Sequence, residues 1–144
     1  MKTKTPFSVS MIALTILSIS IFSCKDKCKD VAGTGGSFTI VAFPQHHSAP
    51  IISESLPGYP DSAFVKFSPP GDFVTTSNPA DYDLVLVGDS GENHVHIENL
   101  KCGDYYIFMT GWDVNGNWRV KGGIPVNIPV DAPSEIDQDV PVTE

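Results

Sequence analysis

All four histidines of the chain fall in two close pairs, His46-His47 in FPQHHSAP (Phe43 to Pro50) and His94-Val95-His96 in ENHVHIENL (Glu92 to Leu100). On a β-strand, residues i and i+2 share a face and stand about 6 to 7 Å apart along it, so His94 and His96 project together while Val95 and Ile97 turn to the core. Two imidazoles presented in this way suit zinc or copper. His46-His47 follows the first apolar run in a proline-bounded loop, and would complete a surface site if that loop lies near the start of the His94 strand. Three readings stand together: a zinc or copper site drawn from His46, His47, His94 and His96, a pH-sensitive contact, or solvent-facing positions that happen to carry histidine. Neither cysteine nor methionine attends the pairs, which argues against a blue-copper electron carrier. Met109, inside an apolar run, reads as core filling.

Other chemistry is sparse. There is no GxSxG turn, HExxH or CxxC pair, and the GTGG stretch is not followed by a helical pattern. Asp81 with Asp83, and Asp89 with Glu92, read as solvated loop acids. The oxygen-rich DSGEN and DVNGN stretches lack the spacing of a calcium loop. No catalytic constellation is expected. Tyr59, Trp112 and Trp118 lie at or beside turns; Tyr59 and Trp118 are candidates for stacking on a sugar or docking a partner, whereas Trp112 is expected to pack between sheets.

The first residues, MKTKTPFSVSMIALTILSISIFSCKDK, combine two lysines, an uncharged apolar run and a small residue before Cys24. This is the layout of a secretory signal peptide, with an uncleaved anchor as the competing reading. Ile21-Phe22-Ser23-Cys24 resembles the lipobox of bacterial lipoproteins, although Phe22 is bulkier than is usual there. The resemblance implies cleavage before Cys24, acylation of Cys24, including a palmitate-type chain, and attachment to a bacterial membrane. An outer-membrane or cell-surface location is favoured.

Removing residues 1–23 leaves 144 − 23 = 121 residues, the size of one domain. Lys2 and Lys4 go with them, so 7 basic residues remain against 17 acidic ones, a net charge of −10. That balance excludes nucleic acid as an expected partner, because phosphate binding depends on Lys and Arg. Beyond Cys24, Cys28 and Cys102 remain; outside the cytoplasm they are expected to form a disulfide, the alternative being two free thiols.

Residues 24–36 read as a lipidated, glycine-rich tether and 37–144 as the folded unit. Short alternating runs are punctuated by Pro, Gly, Asn and Asp clusters, which predicts an all-β fold, a single β-sandwich of seven or eight strands. Strands are expected at 37–43, 63–67, 82–87, 94–98, 105–112, 118–120, 123–130 and 136–142, with a hairpin turn at Asn115-Gly116. The segment HVHIENLKCGDYYIFMTGWD is similar to one shared by carboxypeptidase regulatory-like, collagen-adhesin B-type and transthyretin-like (or Ig-like) sandwiches. That resemblance implies Leu100 in the core, Gly103 in a turn, and Tyr105 or Tyr106 packed across the sheets. It does not extend to the hydroxyisourate hydrolases of the transthyretin-like group, whose terminal Tyr-Arg-Gly-Ser is replaced by Val140-Pro141-Val142-Thr143-Glu144. The function expected is therefore a lipid-anchored, non-catalytic binding or assembly module outside the cytoplasm. The alternatives are a histidine-based zinc or copper lipoprotein and a carbohydrate-binding or adhesin-like module with a glycan or protein partner.

Overall fold

The computed structural model describes Cys28 and residues 31–144. The signal segment, Cys24 and most of the tether lie outside the described residues. Among the described residues eight strands form two four-stranded sheets: β1 (Thr34–His46), β2 (Ala49–Pro50), β3 (Ser62–Phe67), β4 (Leu84–Val87), β5 (Val95–Leu100), β6 (Gly103–Asp113), β7 (Trp118–Ile128) and β8 (Glu135–Pro141). Among the described residues no helix is long and apolar enough to cross a membrane, and the helical structure is a short 3-10 turn at Pro79–Asp81.

In the first sheet β1 is central, with β5 antiparallel on one side, β8 parallel on the other and the two-residue β2 folded back at its end. The second sheet has the order β4-β3-β6-β7, all antiparallel. Ile40, Ala42, Ile97, Leu100 and Val140 of the first sheet pack against Ala63, Val65, Tyr105, Ile107, Met109, Val120 and Ile128 of the second. The period-2 alternation of the strands produces this directly, since every second side chain meets the facing sheet. Phe64, Tyr82 and Phe108, with Phe73 and Tyr106 against them, form a smaller aromatic cluster apart from the main core.

The expectations for Leu100, Gly103 and Tyr105 hold individually. Leu100 is fully buried, and Gly103 has φ +137°, a backbone region that a side chain opposes. Tyr105 is buried, and its hydroxyl accepts from the Gly33 N–H at 3.0 Å and donates to the Lys101 carbonyl at 2.8 Å. Asn99, at φ +59°, breaks the alternation after Ile97, so Leu100 also faces inward; β1 shifts register opposite the same residue.

Several boundaries differ from the sequence reading. Ordered pairing begins at Thr34, inside the expected tether, and Ala32 is already buried against the core. Cys28 and Cys102 are joined by a disulfide with their Cα atoms 5.7 Å apart, which brings the tether onto the turn before β6. The expected strands 118–120 and 123–130 are one strand, β7. Gly122 and Gly123 do not break it; they sit where the backbone of Pro141-Val142 and the ring of Tyr106 pass so close that no Cβ would fit.

Candidate metal centre

His46 closes β1 on its inward face, in register with Ile40 and Ala42, so its ring enters the end of the space between the sheets. Only 3% of it is exposed. Both ring nitrogens are engaged: Nδ1 lies 2.7 Å from Asp113 Oδ2 and Nε2 lies 3.0 Å from Glu144 Oε2. Asp113, the last residue of β6, is itself fixed from the other side. Its Oδ1 accepts the Asn115 N–H at 2.8 Å and the Gly116 N–H at 3.4 Å, holding the β6–β7 turn. One carboxylate thus ties a hairpin of the second sheet to a histidine of the first.

The charges shape one another. The Asp113 bond, aided by Glu144, raises the His46 pKa above its usual value against the opposing effect of burial. The same bond, with the turn amides, holds Asp113 below the ordinary carboxylate range. Glu144 is also lowered, chiefly by its own backbone amide and next by His46. In the protonated state His46 therefore donates to both carboxylates.

His47 and Ser48 connect β1 to β2 with φ of 49° and 63°. Two successive residues at positive φ make the tight hairpin turn whose twist matches the strands, a conformation in which histidine is less costly than most side chains. The turn folds the exposed His47 ring back onto His46, with centroids 4.1 Å apart. Ligand atoms of His46, His47 and Glu144 consequently all lie within 4.8 Å of one another. Two imidazoles and a carboxylate are a donor set for zinc or copper, and Asp113 holds the His46 ring as carboxylates behind metal-bound histidines do.

His94 and His96 do not join this group, so the four histidines form two places and not one surface site. The reason is strand alternation. Val95 and Ile97 face inward, which sends His94 and His96 to the outer face of the first sheet, opposite to the inward His46. Their own convergence is tighter than the sequence implies: the two Nε2 atoms are 3.0 Å apart.

The remaining aromatic candidates separate as well. Tyr59, 40% exposed, packs on Trp112 with ring centroids 4.7 Å apart, and the Arg119 guanidinium lies 5.8 Å from the Tyr59 ring. Trp112 is therefore half-buried beneath Tyr59 and lies outside the inter-sheet core that the sequence predicted for it. Trp118, 43% exposed, folds over Gly116 of its own turn.

Asp113 and Glu144 are the site residues that sequence reasoning missed. Asp113 had a local signal, since Asp two residues before Asn-Gly commonly caps a turn. Glu144 had none, because its partner is 98 residues away. Comparison with protein-family models, curated proteins and solved structures gives no significant match, so the site stands on its own chemistry.

Proposed function

We propose that this chain is a lipid-anchored, non-catalytic binding module of a bacterial cell envelope, and that it binds a zinc or copper ion through His46, His47 and Glu144. The observation that carries the ligand is the approach of those three donors to within 4.8 Å, with Asp113 orienting His46 from behind. His47 and Glu144 are exposed, so their side chains are free to turn toward His46 and reach bonding distances near 2.0 to 2.2 Å. A fourth position stays open to water or to a donor from a partner. The anchor rests on the lipobox-like Ile21-Phe22-Ser23-Cys24, and the acidic mature chain favours approach of a dication.

Binding displaces the proton of His46 Nε2 and its bond to Glu144, so affinity should fall as the pH is lowered. The test is calorimetric titration of zinc into the full chain in detergent, carrying His94→Ala and His96→Ala so that only this centre can respond. One equivalent is expected, with His47→Ala and Glu144→Gln each weakening it by about tenfold or more, the consequence of losing one of three ligands. Unchanged affinity in both variants would leave His46 as a purely structural tie between β1, β6 and Glu144.

A further inference from the structure

The second histidine pair has a geometry of its own. Two nitrogens bonded at about 2.0 Å to one ion stand about 2.8 Å apart at a right angle and about 3.3 Å apart at the tetrahedral angle. His94 Nε2 and His96 Nε2 are 3.0 Å apart, with the rings nearly perpendicular at 80°. The two nitrogens therefore already stand at the separation that a shared ion requires.

The rings are also held. His94 Nδ1–H donates to Asn93 Oδ1 at 3.0 Å, and Glu92 Oε2 lies 3.9 Å from the same nitrogen. That bond fixes the tautomer and leaves the His94 Nε2 lone pair pointing at His96. The Phe43 ring, 5.5 Å from that of His94, supports it from the neighbouring strand. His96 is seated by the pairing of β5 with β1, opposite Val41. In the metal-free state His96 Nε2–H donates to His94; moving that proton to Nδ1 of His96 frees the second lone pair without any net change in charge.

The pair lines a cleft of about 330 Å³ together with Asp89 and Glu92. It holds room for water ligands and a negative field that favours a cation. Two imidazoles with oxygen donors in the remaining positions suit the tetragonal preference of copper(II), which also heads the general affinity order of divalent metals.

We propose that His94 and His96 form a separate copper(II) site, a two-imidazole clip on the outer face of the first sheet. It does not depend on the His46 centre, which lies on the inward side of that sheet.

The experiment uses the full chain in detergent carrying His47→Ala and Glu144→Gln, with copper(II) as the only added metal. Pulsed electron paramagnetic resonance should show one copper per chain coupled to two imidazoles. His94→Asn and His96→Asn, both near-surface substitutions, should each reduce that to one and weaken binding by about tenfold or more. A one-imidazole signal in the parent, or a two-imidazole signal surviving in either variant, would overturn the proposal. Because the His46 centre is disabled throughout, neither result bears on the zinc or copper reading of that centre.

Discussion

At the scale of single residues, Asp61 is the group most out of keeping with its surroundings. It has no exposed surface, and neither carboxylate oxygen has a hydrogen-bond partner among the described residues. Its backbone is satisfied, donating to Ser53 Oγ at 3.0 Å and accepting from Gly88 N–H at 2.8 Å. The side chain lies against Gly111, where a Cβ would come within 2.5 Å of Oδ1. Burial raises its pKa from 3.8 to about 7. The folded state then holds the proton more tightly than the unfolded chain, so the stability this group allows is greatest below pH 3.8 and declines as the pH rises to about 7. About three pH units at 1.36 kcal/mol each set a ceiling on the order of 4 kcal/mol. Asp61→Asn, which cannot ionise, is expected to be more stable than the parent at pH 8 and to converge with it near pH 4. Urea unfolding at both pH values checks this, and a difference independent of pH would contradict it. His46 acts in the same direction: its pKa is raised by Asp113, so its contribution is complete below about 6.5 and fades as the pH rises through the higher folded value.

Elements are joined here by a few close contacts that tolerate little change. The β6–β7 turn depends on Asp113, whose two oxygens serve the turn amides and His46 at once. Asp113→Ala removes three hydrogen bonds and leaves buried His46 with one partner. It should cost about 2 to 4 kcal/mol, more than a typical single bond. Glu144→Gln, at a far more exposed position, should cost much less; comparable losses in the two variants would mean that the turn is not the point of attachment. β7 meets the end of the chain at Gly122, which lies under the Pro141 backbone while Lys121 pairs with Thr143. Gly122→Ala should separate these segments at a cost of about 1 to 3 kcal/mol. An unchanged melting temperature would show that Pro141 moves aside freely.

For the whole molecule, the Cys28–Cys102 disulfide holds the start of the sandwich, and the lipid anchor proposed at Cys24 would hold it to a membrane. The bond spans 74 residues and fastens the segment before β1 to the start of β6. In the chain-entropy account such a closure contributes on the order of 4 kcal/mol. Reduction, or Cys28→Ala with Cys102→Ala, should lower the melting temperature by several degrees while the strand content of the far-ultraviolet spectrum persists. An unaffected transition would place the bond outside the cooperative unit. Cys24→Ala should release or mislocalise the protein, read by detergent-phase partition. Retention in that phase with residues 1–23 uncut would identify an ordinary membrane anchor.

The all-β sandwich was legible, apart from the two-residue β2 and the continuity of β7, because alternation and punctuation are local properties: Val95 and Ile97 declare an inward face, and Asn115-Gly116 a turn. The sharing of a face by His94 and His96 follows from the same period of two. What the sequence could not convey is which faces meet. Whether β1 and β5 turn their histidines to one side or to opposite sides depends on pairing register, which a one-residue slip would invert. The continuity of β7 through Gly122-Gly123 was equally hidden, because those glycines answer to Pro141 and Tyr106 and not to their own neighbours. The His46–Asp113–Glu144 linkage required residues 67 and 98 positions apart to be brought within hydrogen-bond reach. Composition and periodicity are summed along the chain, whereas a site is assembled across it. Here the packing of one sheet on the other brought Asp113 to the histidine, and the pairing of β8 with β1 brought Glu144.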